Sequence, residues 1–172
     1  MKNMHYDKDI QLGEKTLITD PCYSKGTWCS GAVKTEPGTY RAYSLSATSD
    51  PYRQVEGGFI VHSSLDGKIL PFDCQIDTGI DVGVDSGECG VYDDAKFPED
   101  GIDIEEDAEF SPTHEYRGYG IDWGKTFHSF GGDGSFKAYV HKNDKGSVDA
   151  IRIDFYGDYE DWDEDEDPIY EE

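Results

Sequence analysis

Glycine, proline and Asp-Gly or Ser-Gly pairs punctuate this chain so often that no stretch between them carries an apolar stripe long enough for a helix of about ten residues. Between the interruptions lie short runs in which apolar residues alternate with polar ones. Strands bounded by turn signals roughly every eight to twelve residues argue for an antiparallel fold. The expectation is a mainly β chain, an antiparallel sandwich or curved sheet with few short helical turns and an acidic C-terminal tail. Residues 1–156 form one β-rich domain with an acidic excursion at 93–113, and residues 157–172 form the tail.

The runs can be placed in order. Residues 1–13 are polar and read as an irregular lead-in. Lys15–Thr19 reads as a strand stopped by Asp20-Pro21, because proline fixes its own φ and holds the preceding residue extended. A short strand is expected over Gly26–Val33. Another over Thr39–Leu45 sets Tyr40 and Ala42 on one face and Tyr43 and Leu45 on the other. Gly57–His62 reads as a central strand, Leu65–Lys68 as a turn, and Ile80–Val84 as a half-buried strand. Residues 73–79 are ambiguous, and Tyr92–Phe97 suits a single helical turn ended by Pro98. The clearest strands are Ser135–His141, with Phe136, Ala138 and Val140 on one face, and Val148–Tyr156, with Ile151, Ile153 and Phe155 on one face. Asn143-Asp144-Lys145-Gly146 joins them as a hairpin. The 23 aromatic residues (three Trp, twelve Tyr, eight Phe) supply core that a hydrophobic content of 35% alone would not.

Two stretches share a pattern of glycine, aspartate and serine: Val84-Asp85-Ser86-Gly87 and Gly132-Asp133-Gly134-Ser135. Glycine admits positive φ, and aspartate and serine side chains can bond the amides of a turn. Both read as structural corners able to hold a ligand.

Charge is the other constraint. The formal net charge is −23. Asp93 to Glu109 holds nine acids and one lysine, net −8, and Gly157 to Glu172 holds ten acids and no base, net −10. The remaining 139 residues therefore carry −5. A surface of this kind repels nucleic acid and membrane headgroups and attracts basic proteins. No run approaches the ~20 apolar residues of a membrane span, and the N-terminus has no apolar signal core. A cytoplasmic protein is expected. Cys22, Cys29, Cys74 and Cys89 form no CxxC pair, so reduced thiols are expected rather than disulfides or a zinc knuckle.

Asp20-Pro21-Cys22-Tyr23 with Trp28-Cys29, then Val84-Asp85-Ser86-Gly87 with Val91-Tyr92-Asp93, then Gly132-Asp133-Gly134-Ser135-Phe136 and Ile153-Asp154-Phe155, form an ordered motif set over most of residues 17–156. The set resembles uncharacterised bacterial and phage proteins similar to the domain of unknown function 4241. It departs at Glu88-Cys89, where Gln-Ala is the family pattern, and at Phe136, where tyrosine is. The resemblance implies a β-rich fold and a mobile-element setting, and brings no activity with it.

Partner-binding candidates are the excursion acids Asp100, Asp103, Glu105, Glu106, Asp107 and Glu109, and the tail residues Glu160, Asp161, Trp162, Asp163, Glu164, Asp165, Glu166 and Asp167. A row of carboxylates can imitate phosphates, with Trp162 as an aromatic anchor; a solvated acidic tail is the plainer alternative. Candidates for a small-ligand site are Asp20, Cys22, Asp85, Ser86, His128 and Asp133, with Arg41, Arg117 and Arg152 as possible phosphate donors. Asp77, Asp81, Asp85, Asp93 and Asp94 are oxygen ligands of the type a hard cation takes. Catalysis would need Cys22 beside His62, His114, His128 or His141, or Asp85 paired with Asp133. A buried structural Cys22, and aspartates that cap their own turns, are the favoured readings. No phosphate-binding loop, nucleophile elbow or zinc-protease motif is present. The expected function is an acidic binding protein, not an enzyme and without a cofactor, that mimics nucleic acid and blocks a basic, nucleic-acid-binding host defence protein without touching nucleic acid or membrane itself. A small-ligand, metal-binding or hydrolytic role at the Asp85/Asp133 corners is the alternative.

Overall fold

The computed structural model describes residues 3–46, 55–114, 117–129 and 134–155. The candidate residues Glu160, Asp161, Trp162, Asp163, Glu164, Asp165, Glu166, Asp167 and Asp133 lie outside them. The described chain forms two antiparallel six-stranded sheets packed as a sandwich. The first sheet runs, edge to edge, β1 (Asn3–Leu12), β4 (Gly38–Ser46), β5 (Gly57–His62), β12 (Val148–Asp154), β11 (Gly134–Lys142) and β6 (Ile76–Val84). The second runs β3 (Gly31–Lys34), β2 (Lys15–Thr19), β7 (Glu88–Asp93), β10 (Gly124–His128), β9 (Gly118–Ile121) and β8 (Ser111–His114). Two 3-10 turns, Ser63–Leu65 and Pro71–Asp73, are the helical content among the described residues.

Alternation sets the faces. Ile10, Leu12, Tyr40, Ala42, Ile60, Val82, Ala138, Val140, Ile151 and Ile153 project from the first sheet and meet Ile18, Cys89, Val91 and Phe127 from the second. Each outer face carries a smaller cluster. Leu45, Phe59, Val61 and Ala150 pack under Ile69 and Cys74 of the segment between β5 and β6. Leu17 and Tyr92 pack under Phe97, Ile102, Ile104 and Phe110 of the acidic excursion. Burial on both faces explains why β12 is buried along its whole length, Arg152 and Asp154 included.

Several expectations need correction. The polar N-terminus is β1, a ten-residue edge strand paired along its length with β4. Its register slips between Tyr6 and Lys8, a bulge that accommodates Asp7. The strand expected over Gly26–Val33 is confined to Gly31–Lys34, and residues 26–30 form loop and turns. The ambiguous stretch after Asp73 is largely strand, since β6 begins at Ile76. Glu88–Asp93, not placed among the expected strands, is the fully buried β7 between β2 and β10. The turn expected at Tyr92–Phe97 starts only at Asp93, whose carbonyl accepts from the amides of Lys96 and Phe97.

Candidate functional site

Three corners gather at one end of the sandwich. The chain crosses from the first sheet to the second between β6 and β7, through Asp85-Ser86-Gly87, and returns between β10 and β11. The residues flanking the two crossings lie side by side: Val84 pairs with Gly134, and the Ser129 amide donates to the Gly87 carbonyl at 2.8 Å. Gly87 holds φ at 79°, a value side-chain-bearing residues rarely adopt. The third corner, Asp20-Pro21-Cys22, follows β2, which pairs with β7 from Thr16↔Asp93 to Thr19↔Gly90.

Asp20 ties its own corner to the Asp85-Ser86-Gly87 corner. Its side chain is fully buried. One carboxylate oxygen accepts from the Asp85 amide at 2.7 Å and the Ser86 amide at 2.8 Å. The other accepts from the Ser86 hydroxyl at 2.8 Å and the Cys22 amide at 2.9 Å. A buried carboxylate requires such donors, because desolvating it without them is costly. The amides of the 85–87 turn are thus capped by Asp20, not by Asp85. The Asp85 side chain is left at the surface, which corrects the reading of Asp85 as its own cap.

Beside this junction opens a cleft of about 410 Å³ lined by Cys22, Ser86, Asp100, Gly101, Ile102, Asp103, Ile104 and Glu105. Cys22 is exposed there, whereas Cys29, Cys74 and Cys89 are buried; the expectation of a buried Cys22 fails because the proline corner turns its side chain outward. Desolvation, with the hydrogen bond and charge of Asp20 and the charge of Asp85, pushes the Cys22 thiol up to about 12. It is protonated at neutral pH and a poor nucleophile. The neighbours that shift it are carboxylates, not a histidine. Among the described residues the lining holds three carboxylates and no lysine or arginine, which disfavours a phosphate-bearing ligand.

The excursion between β7 and β8 forms the outer wall of the cleft. It is turns rather than a helix. Phe97, Ile102, Ile104 and Phe110 enter the outer cluster, where Trp123 stacks edge-on with Phe110 at 5.6 Å and Phe97 at 6.4 Å. Each buried side chain of this size stabilises by about 1.5–3 kcal/mol. Asp100, Asp103, Glu105, Glu106 and Glu109 alternate with them on the solvent side, and Asp107 is half-buried. Asp103 and Asp107 also brace the backbone, accepting from the Glu105 amide at 3.2 Å and the Glu109 amide at 2.9 Å. Backbone bonds from Ile102 to Pro21 (2.6 Å) and from Lys25 to Glu99 (2.9 Å) sew the excursion to the 20–30 corner.

His128 sits one step behind. Glu88, on the neighbouring strand in direct register, is buried; its carboxylate pairs with His128 Nδ1 at 2.6 Å and accepts from the Thr126 hydroxyl at 2.8 Å. The hydrogen bond from Glu88 raises the His128 pKa above its ordinary value, against partial burial. Glu88 and Cys89 therefore supply a charge partner for His128 and a buried thiol.

One polar cluster escaped the sequence reading. Asp7, at the β1 bulge, meets Arg117 Nε at 3.0 Å and Lys125 Nζ at 3.5 Å, with the Asp7 and Lys125 side chains fully buried. Lys125 also donates to the carbonyls of Arg117 and Thr126 and lies 4.4 Å from the Phe127 ring centre. Burial pushes Lys125 down to about 8, while Asp7 and Glu88 oppose the shift. The cluster joins β1 of the first sheet to β10 of the second. Its signal in the sequence, three charged residues far apart, has no local signature.

The other candidates disperse. Arg41 binds Asp66 at 2.7 Å, Arg117 lies in the buried cluster, and Arg152 stacks on Tyr139 at 4.5 Å; they do not converge on the cleft. His62 contacts the Ser64 hydroxyl at 2.7 Å, and His141 pairs with buried Asp149 at 2.6 Å. Asp77 accepts from the Gly79 amide, and Asp94 faces Lys15 and Lys25. Among the described residues no three His, Cys, Asp or Glu are grouped to hold a metal ion, and no helix is long and apolar enough to cross a membrane.

No family model, curated protein or solved structure matches the chain.

Proposed function

We propose that this chain is a non-enzymatic binding protein that engages a basic, nucleic-acid-handling protein through its acidic surface, with carboxylates standing where phosphates would. The observation that supports this reading is the excursion. Its four apolar side chains are anchored on the outer face of the second sheet, so five carboxylates are held at the surface of an ordered wall. A duplex presents one charge per roughly 1.7 Å of axis, and proteins that read it carry matching lysines and arginines. A preorganised row of acids satisfies such a surface at lower entropic cost than a flexible chain. The motif resemblance adds a mobile-element setting, in which the partner is a host defence protein that binds DNA or RNA.

The test is capture of partners from cell extract at low and high salt, read by mass spectrometry, followed by competition against nucleic acid for each captured protein. The variant Asp100→Asn, Asp103→Asn, Glu105→Gln, Glu106→Gln, Glu109→Gln should lose binding and show a shallower salt dependence. Deletion of residues 157–172 tests the tail in the same assay. Binding that persists in both variants with an unchanged salt slope refutes the proposal.

A further inference from the structure

Trp28 is 83% exposed, the most exposed large hydrophobic side chain among the described residues. It does not sit on a loose loop. Thr27 donates its hydroxyl to the Ser24 carbonyl at 2.6 Å, and the Ser30 amide and hydroxyl both reach the Thr27 carbonyl at 3.1 Å. Cys29 is buried, and its carbonyl accepts from the Gly83 amide at 2.9 Å. Trp28 is thus held outward between fixed neighbours. An indole kept in water while both flanking residues are tied down is a preorganised contact, and tryptophan is enriched among residues that dominate interfaces.

The same corner supplies Cys22 to the cleft. Lys25, between them, is bonded to the excursion through its amide at Glu99 and its ammonium at the Asp94 carbonyl. The segment that carries Trp28 is therefore bonded to the acidic wall three residues before the indole. Charge complementarity selects the occupant. Asp100, Asp103 and Glu105 around the cleft favour a cationic side chain, and the indole face attracts the same group through its quadrupole.

We propose that Trp28 and the cleft form a two-point docking site for an arginine-bearing segment of a basic protein, one guanidinium stacking on Trp28 and a second basic side chain entering the cleft. This rests on the acidic-surface reading above and adds an aromatic anchor that charge alone does not require.

The probe is a fluorescein-labelled octa-arginine peptide, titrated by anisotropy against the full-length chain at several salt concentrations. Trp28→Ala should weaken binding about tenfold, between the size of an exposed and a desolvated cation–π contact, with the salt slope unchanged. Trp28→Phe should recover part of the loss. Asp103→Asn/Glu105→Gln should weaken binding and flatten the slope. Thermal unfolding checks that each variant is folded. Trp28→Ala binding within twofold of wild type, while the five-residue neutralised variant loses the peptide, overturns the docking site and leaves the acidic-surface reading standing. Binding that survives both the neutralisation of all five acids and the deletion of residues 157–172 overturns both.

Discussion

Replacing Asp20 should loosen the end of the sandwich where the 20–22 and 85–87 corners meet, and the size of the effect follows from its four hydrogen bonds. Asp20→Ala removes the acceptor for the Asp85, Ser86 and Cys22 amides and for the Ser86 hydroxyl. Bonds to a charged acceptor contribute about 1.5–3 kcal/mol each, which would give about 6–12 kcal/mol if they were independent. They are not, because Asp85, Ser86 and Cys22 are exposed residues and their donors regain water once the corner opens. A loss of about 3–5 kcal/mol is expected, comparable to removing one partner of a buried pair. Asp20→Asn should cost less, about 1.5–3 kcal/mol. Its amide oxygen can serve the Asp85 and Ser86 amides, and the Ser86 hydroxyl can turn to accept, but the Cys22 amide then faces an N–H. Urea unfolding reads the series directly. With a slope near 2 kcal/mol per molar, Asp20→Ala should lower the midpoint by about 2 M, with Asn between Ala and wild type. In a double-mutant cycle with Ser86→Ala, a coupling of at least about 1 kcal/mol should appear. An Asp20→Ala midpoint within about 0.5 M of wild type would refute the role assigned to this carboxylate.

Lys125 gives a pH signature. Its folded pKa is lowered from 10.5 to about 8, so between those values the unfolded chain binds more protons and the Lys125 contribution to stability rises with pH. The stability of wild type relative to Lys125→Met should therefore increase by about 3 kcal/mol from pH 7.5 to 10.5; parallel curves would show that the ammonium is not desolvated as described. Gly90 gives a packing test. A Cβ there would run into the Lys125 carbonyl and lie 2.7 Å from the Tyr92 hydroxyl, so Gly90→Ala should cost at least about 3 kcal/mol by thermal or urea unfolding, and a loss below about 1 kcal/mol would mean β7 and β10 are further apart than the structure has them.

The strands legible in the sequence were those with one wet face or one strong turn. Ser135–His141 and its partner after Asn143-Asp-Lys-Gly146 carried both signals, and the structure places them as neighbouring strands of the first sheet. β7 was illegible for a physical reason. It is covered on the inner face by the core and on the outer face by the excursion, so Glu88-Cys-Gly-Val-Tyr-Asp93 shows no alternation of wet and dry. β1 was illegible for the opposite reason: an edge strand with Asp7 turned inward at a bulge keeps a polar composition, and only Ile10 and Leu12 betray its core face. The apolar residues of the excursion fit either a segment pinned on the body or a short helix, and the structure shows turns whose apolar side chains pack on the second sheet.

The site was half legible, and Asp20 shows where the boundary lies. An aspartate followed by proline announces a local turn, and that part is present: the Cys22 amide bonds the Asp20 side chain and the Tyr23 amide bonds its carbonyl. The same carboxylate's other oxygen reaches 65 and 66 residues along the chain to the Asp85 and Ser86 amides, and no local rule states that. Serine and glycine after Asp85 announced a second turn, but not that its amides lacked a partner of their own. Each corner therefore read as self-sufficient when each is half of one hydrogen-bonded unit. The Asp85-Ser86-Gly87 turn changes meaning accordingly: its exposed aspartate is not the group that holds it, so substituting Asp85 tests surface chemistry, while substituting Asp20 tests the fold beneath it.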